Sequence, residues 1–319
     1  MRVGVIRNAK SYRNRKPDEA FRSTATQWLG EDFAEPASLD EMKSVLADFA
    51  RREIKLLVID GGDGTLHKTL GALPPAWESA PPLLAILPSG NTNLIAADVG
   101  CGLRGLPGLK RLLDAARTGA WKGHVERRSA LEVEWGDGAH APQRGMFLGA
   151  AAFTRGIDIA HDGVHAQGLF QKSAVMLTLA LSAAQSLRAT SRERWLAGDL
   201  MSVGIDTDDT REGARFLFLA TGLQKLFFGI WPFWDEQGAK LRYLDVDAHP
   251  KKLIRAGAAL LRGHAPQWMR DSEQYRSGGA TRIALQLSHR FVLDGEVFEP
   301  GPSGQIFLKA GPSMEFVVL

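Results

Sequence analysis

The chain has 319 residues, 45% hydrophobic and 24% charged, an ordinary globular composition that excludes a disordered chain. Its 39 Lys and Arg against 36 Asp and Glu leave a net charge of +3, too balanced for a general nucleic-acid binder, yet compatible with a local basic face toward a membrane or a phosphorylated ligand. One cysteine, Cys101, excludes an intramolecular disulfide and a thiolate zinc site, and it fits a reducing compartment.

At about 150 residues per domain, the length implies about two domains. The opening Met1-Arg-Val-Gly-Val-Ile-Arg reaches polar Asn8 and Lys10 too soon for a leader's apolar region. The longest apolar candidate, residues 173–187, contains Ser173, Thr178, Ser182 and Gln185, against the roughly 20 apolar residues of a spanning helix. A cytoplasmic protein, soluble or peripherally bound, is therefore expected.

The first third alternates strand and helix. Val3 to Ile6 is a short apolar run ending in Asn8-Ala-Lys-Ser11. Ser38-Leu-Asp-Glu41 fits a capping box, and Leu39, Met42, Val45, Leu46 and Phe49 follow at helical spacing. Leu56-Leu-Val-Ile59 reads as a strand buried on both faces and runs into Asp60-Gly-Gly-Asp-Gly-Thr65. A second such strand, Leu83-Leu-Ala-Ile-Leu87, runs into Pro88-Ser-Gly-Asn-Thr-Asn93. Repeated strand, loop and helix indicate a parallel α/β sheet, whose ligands bind at the carboxyl ends of the strands. Both polar loops fall at such ends.

From Trp121 onward, short alternating segments with turn signals predict a largely antiparallel β domain. Leu131-Glu-Val-Glu-Trp135 before Gly136-Asp-Gly138 reads as a hairpin arm. Arg215 to Leu219, Arg282 to Leu287, Arg290 to Leu293 and Gln305 to Leu308 read as strands. Two helices are expected within this region, near residues 168–187 and 250–262. The predicted domains are 1–122 and 123–304.

Gly61-Gly-Asp-Gly-Thr65 between strand and helix is the strongest chemical signal. Glycines let a backbone approach a polyanion, and successive N–H groups with a helix N-terminus cradle phosphate. Asp63, repelled by phosphate, makes better sense as a magnesium-linked group or a general base. The plainer alternative is a tight turn closing a βα unit.

Asp60-Gly-Gly-Asp-Gly-Thr-Leu66 resembles the diacylglycerol-kinase catalytic-domain family, which includes bacterial lipid kinases and the sphingosine and ceramide kinases. Leu87-Pro-Ser-Gly-Asn-Thr-Asn93 is similar to its Pro-x-Gly-(Ser/Thr)-x-Asn segment. Asn8-Ala-Lys-Ser11 resembles its Asn-Pro-x-Ser-Gly opening, with Ala9 for Pro and Tyr12 for Gly. Leu293-Asp-Gly-Glu296 is similar to its Asp-Gly-Glu near the C-terminus. The four segments occur in the family's order over nearly the whole chain.

The resemblance implies phosphoryl transfer from ATP, with Mg²⁺, to the hydroxyl of a membrane lipid, and peripheral contact with the inner membrane surface. It implies an NAD-kinase/diacylglycerol-kinase-like α/β domain plus a β-rich antiparallel domain, with the nucleotide between them and the last segment, about 305–319, returning to the first. Asn8 and Ser11 would lie near the nucleotide. Gly61, Gly62, Gly64 and Thr65 would hold phosphates, and His67, Ser89, Gly90, Asn91, Thr92 and Asn93 would line its pocket. Asp63, Asp294 and Glu296 supply the carboxylates: Asp63 is favoured slightly as base over Asp294, with Asp294 and Glu296 organising magnesium. Taken alone, Asp294-Gly-Glu296 also reads as a β-turn.

Several departures bear on the acceptor. Many bacterial members read Gly-Gly-Asp-Gly-Thr-x-Asn-Glu, whereas this chain has His67-Lys68. His67 and Asn93-Leu-Ile-Ala-Ala97 resemble the sphingosine-kinase branch, and Gly156-Ile-Asp158 resembles the region where that branch contacts a lipid head group. Asp158 is the expected substrate contact, with an exposed loop acid as the alternative. A ceramide or sphingoid acceptor is thus slightly preferred over diacylglycerol. Thr221 stands where the family has Asn, and the aromatic stretch 227–234 stands where it is glycine-rich, which puts a structural magnesium site there in doubt. That stretch reads as β core or as lipid contact. Lys251, Lys252, Arg255 and Arg262 beside Leu253, Ile254, Leu260 and Leu261 read as a membrane-docking face or a solvated helix. Two other readings stand: an NAD-kinase-like soluble kinase, whose downstream Asn-Glu pair is missing, and a non-catalytic nucleotide- or lipid-sensing scaffold.

Overall fold

The computed structural model describes residues 1–16, 18–77, 80–155, 193, 195–206, 210–226, 231–236, 238–261 and 264–319. The predicted helix near 168–187 and Asp158, the expected substrate contact, lie outside them. The chain divides into two compact units, Met1–Arg128 with Pro312–Leu319, and Ser129–Gly311. The divisions thus fall at Arg128 and Gly311 rather than at 122 and 304. Residues 305–311 stay with the second unit.

In the first unit, strands β1 (Val3–Arg7), β2 (Phe33–Ala34), β3 (Leu56–Gly61) and β4 (Leu83–Pro88) form a parallel sheet in the order β2-β1-β3-β4. The end of β15 (Gln305–Val317) adds in parallel to β4, with Phe316 opposite Leu84. Every residue of β1 and β3 is buried, as strands covered on both faces require. On one face, Val3, Val5, Leu56, Val58, Ala85 and Leu87 pack with residues of α1 (Glu19–Leu29) and α5 (Gly105–Thr118). Helix α2 (Leu39–Arg51) starts at Ser38, whose hydroxyl accepts the Glu41 N–H at 3.1 Å. The Glu41 carboxylate reaches back to Ala37 N at 2.7 Å, one residue beyond the capping-box position. Leu46 and Phe49, fully buried, each contribute about 2–3 kcal/mol of apolar burial. Helices α3 (Asp63–Gly71) and α4 (Leu94–Val99) follow β3 and β4.

The second unit is antiparallel. Strand β7 (Phe147–Ala151) pairs with β9 (Arg211–Thr221) and β13 (Phe291–Leu293), and β9 pairs with β8 (Asp199–Ile205) and β10 (Leu241–Asp247). β10 continues to β11 (Tyr275–Ala280), and β12 (Arg282–Leu287) joins β8 to β15. The expected hairpin is present: β5 (Val125–Trp135) turns through Gly136–Gly138 and pairs with β6 (Gln143–Gly145), Leu131 opposite Gly145. Short helices α6 (Leu253–Leu261) and α7 (Gln267–Arg270) lie between β10 and β11. The core gathers Leu131, Val133, Leu148, Phe218, Ile283 and Phe291 among others. Of the aromatic stretch, Phe233 and Trp234 are buried, a core role for the described part; residues 227–230 lie outside the described ones.

Candidate functional site

Because β1, β3 and β4 are parallel neighbours, the loops at their carboxyl ends come together. Asn8 N donates to Asp60 O at 2.9 Å, Ser89 N to Gly61 O at 2.9 Å, and Arg13 N to Ser89 O at 3.0 Å. The loop after β1 is thereby laced to both others. Asn8 Nδ2 donates to Thr65 Oγ1 at 2.8 Å, and Ser11 Oγ lies 3.5 Å from the same hydroxyl. Asn8, Ser11 and Thr65, 57 and 54 residues apart in sequence, thus form one cluster.

The two glycine-bearing loops meet backbone to backbone. A Cβ on Gly62 would stand 2.8 Å from Gly90 Cα, and a Cβ on Gly90 would stand 2.5 Å from Gly62 Cα. No side chain fits at either position, which is the physical reason both are glycine. Asn93 closes the second loop on itself: its Oδ1 accepts Gly90 N at 2.9 Å and its Nδ2 donates to Gly90 O at 2.8 Å. Its φ of +52° is a left-handed conformation that Asn tolerates.

Asp63 belongs to this join. Its Oδ2 accepts Leu94 N and its Oδ1 accepts Ile95 N, each at 3.0 Å. The carboxylate of one loop therefore caps the helix that follows the other, where negative charge and the opening N–H groups match. Helix α3 itself starts at Gly62 with no side-chain cap, leaving its N-terminal end open to an anion. Gly62, Asp63, Gly64, Gly90, Asn91 and Asn93 are half-buried and Thr92 is exposed, whereas Ser11, Gly61, Thr65, His67 and Ser89 are buried. His67, at 2% exposure, belongs to the interior of the first unit.

Beneath the loops lies an acid whose role the motif alone did not reveal. Asp60, 3% exposed, accepts Asn14 Nδ2 at 3.1 Å, Arg7 Nε at 3.2 Å and the Ser89 hydroxyl. Arg7 also donates to Glu35 at 2.8 Å and stacks 4.6 Å above the Phe21 ring. Burial pushes the Asp60 carboxyl above its ordinary range, against the pull of Ser89, Asn14 and Arg7. Arg7, Asn14 and Asp60 hold the loops from below. Sequence reading missed the first two, whose partners are distant in the chain. It also passed over the exposed cations Lys10, Arg13, Arg15 and Lys16 of the first loop, which a count of charge along residues 10–16 finds. Asn91 Oδ1 is a buried acceptor with no hydrogen-bond partner among the described residues.

In the second unit, Asp294 and Gly295 form the two-residue turn between β13 and β14 (Glu296–Phe298), with φ of +50° and +89° and Leu293 opposite Glu296. Positive φ at both positions is the Asp-Gly hairpin turn, so the turn reading of this segment holds for its backbone. The Asp294 carboxylate accepts Met146 N at 3.0 Å and Phe147 N at 2.9 Å, and Glu296 is half-buried. Thr221, fully buried, donates to Met146 O at 2.8 Å and accepts Leu223 N at 3.0 Å. Among the described residues, no group of three or more His, Cys, Asp or Glu side chains could hold a metal ion.

No curated protein is significantly similar to the chain in sequence. Two solved structures from Bacillus anthracis str. Sterne, each named "a putative diacylglycerol kinase", are similar in fold. The first has 16% identity and a TM-score of 0.64, covering 100% of this chain and 97% of its own. The second has 15% identity and a TM-score of 0.61 over the same shares. A third, named as a diacylglycerol kinase from the same organism, has 15% identity and a TM-score of 0.56. The loops described above fall within residues 2–122, which match the family model of the diacylglycerol kinase catalytic domain, a phosphotransferase domain with an alcohol acceptor.

Proposed function

We propose that this chain is an ATP-dependent lipid kinase that moves the γ-phosphate to a primary hydroxyl of a membrane lipid, with ceramide or a related sphingoid lipid preferred over diacylglycerol. The observation that carries the reading is the backbone contact of Gly62 with Gly90, inside the segment that matches the kinase family. It leaves a surface of glycine backbone beside an uncapped helix start, suited to a polyphosphate. Asn91 Oδ1, buried and without a hydrogen-bond partner among the described residues, fits a donor on the nucleotide. Lys10 and Arg13 supply cations at the same loops.

In the transfer, the acceptor hydroxyl oxygen bonds to the γ-phosphorus, the bond from that phosphorus to the bridging oxygen breaks, and ADP leaves. The hydroxyl proton passes to a carboxylate, Asp63 or Asp294. Asp294 and Glu296 would hold a magnesium ion in this reading, and the ion would supply charge neutralisation at the phosphates. The sphingoid preference rests on His67-Lys68, on Asn93-Leu-Ile-Ala-Ala97 and on Asp158. Cytoplasmic placement at the inner membrane surface accompanies the reading; no helix among the described residues is long and apolar enough to cross a membrane.

The test is competition in mixed micelles, with ceramide, sphingosine, diacylglycerol, monoacylglycerol and undecaprenol offered together and NAD as a soluble control. The expected product is a phosphorylated sphingoid lipid. Equal or faster use of diacylglycerol removes the preference, phosphorylated NAD removes the lipid reading, and ATP binding without product favours a sensing scaffold.

A further inference from the structure

Helix α6 exposes a large apolar side chain, Ile254, that an ordinary surface helix would bury. Such a helix buries its large apolar side chains and exposes polar ones. Among the described side chains of α6, the buried ones are Ala256 and Ala259, whereas Leu253 and Leu260 are half-buried and Ile254 is 60% exposed. The cations beside it, Lys251, Lys252 and Arg255, are exposed. From Ala248 to Met269 the sequence contains no Asp or Glu. Lys252 Nζ stands 5.0 Å above the ring of Trp268, which is itself half-buried.

The chain enters this helix through a fixed turn. His249 and Lys252 have φ of +48° and +58°, conformations that non-glycine residues hold only where the surroundings impose them. The Tyr275 hydroxyl donates to Lys251 O at 2.7 Å, and Lys251 N donates to Gln274 at 3.1 Å. The cations are thus presented from an anchored backbone.

We infer that α6, the Lys251–Lys252 turn and Trp268 form a docking face for an anionic lipid bilayer. Ile254, Leu253 and Trp268 enter the boundary between headgroups and acyl chains, where Trp is favoured. Lys251, Lys252 and Arg255 meet the anionic headgroups. The charge pattern selects this occupant over a second copy of the chain. A two-fold contact centred on α6 would set the same three cations against one another. The inference rests on the lipid-kinase reading for its purpose and on exposure and charge for its physics.

The experiment is co-sedimentation with vesicles of phosphatidylcholine, with and without phosphatidylglycerol. The wild-type chain is compared with Ile254→Asp, Ile254→Leu and a triple Lys251→Ala, Lys252→Ala, Arg255→Ala variant. These side chains are at the surface, and thermal melts verify that the variants fold. The wild type and Ile254→Leu bind the anionic vesicles and are released by salt. The triple variant loses roughly a hundredfold in partitioning, and Ile254→Asp loses about tenfold or more. All four turn over a short-chain, water-soluble acceptor equally. Wild-type indifference to phosphatidylglycerol, or triple-variant binding equal to wild type, overturns the inference. A dimer that Ile254→Asp dissociates assigns the face to a second copy instead. Vesicle binding without phosphorylation of any lipid keeps the docking face and removes the kinase reading; turnover of the soluble acceptor without vesicle binding does the reverse.

Discussion

Replacing Asp63 by Asn separates two duties of one side chain. The carboxylate holds Leu94 N and Ile95 N at 3.0 Å each. An amide keeps one carbonyl oxygen, so one of those N–H groups faces an NH₂ group instead. Ile95 is 1% exposed, so water does not replace the lost acceptor. An unsatisfied buried donor costs about 1–3 kcal/mol, and loss of a negative charge at a helix start costs about 0.3–1 kcal/mol. The expected destabilisation is about 2–3 kcal/mol, read as a lower urea midpoint with unchanged m-value. Turnover and nucleotide affinity fall with it, because α4 carries the second loop. Asp63→Ala, which removes both acceptors, is less stable still. Stability within about 0.5 kcal/mol of wild type, together with collapsed turnover, refutes the clamp and returns Asp63 to the role of base alone.

Gly90→Ala places a methyl group 2.5 Å from Gly62 Cα. It forces the loops apart at about 1–3 kcal/mol of overpacking, and it raises the ATP KM in steady-state kinetics; an unchanged KM contradicts the cradle. Arg128 pairs with Asp98 at 2.6 Å, their side chains 2% and 0% exposed. Arg128→Ala therefore costs about 3–5 kcal/mol by urea unfolding; a loss below about 1 kcal/mol means that the charges are hydrated. The Asp206 carboxylate accepts Thr281 N at 2.7 Å, Arg282 N at 2.8 Å and the Thr281 hydroxyl. Burial opposes ionisation there, but these donors outweigh it and hold the carboxyl below its ordinary range. Its stabilisation is complete above the unfolded value near 3.9 and is lost as pH falls through the depressed folded value. Asp206→Asn is thus less stable than wild type at neutral pH and converges with it in acid; a gap that persists at low pH contradicts the assignment.

The parallel half was legible where strong local signals coincide. The apolar runs at Leu56 and Leu83 end in glycine- and asparagine-bearing loops, and the structure makes them β3 and β4 with those loops at their carboxyl ends. Helix α1 escaped notice because only Phe21 and Ala25 are buried along it, too faint a stripe to show a period. Helix α5 was hidden by Gly105, Pro107 and Gly108. Pro107 sits in the first turn, where its missing N–H costs nothing. In the candidate site, the membership of Asn8, Ser11 and the two loops followed from motif resemblance. The bonds of Asp63 to α4 and of Arg7 to Asp60 did not, because they span 31 or more residues and leave no local pattern. Asp294-Gly295 carried both a turn signal and a chemical one, and the turn is explained by its backbone angles.

The central claim is transfer of the γ-phosphate of ATP to a lipid hydroxyl. Its most direct test incubates the full chain with γ-labelled ATP, Mg²⁺ and micelles holding ceramide and diacylglycerol in equal amounts, followed by organic extraction. Label in the lipid phase, mostly as ceramide phosphate, and its loss in Gly90→Ala, is the predicted result. Label that stays in ATP or appears only as inorganic phosphate in the aqueous phase contradicts the claim.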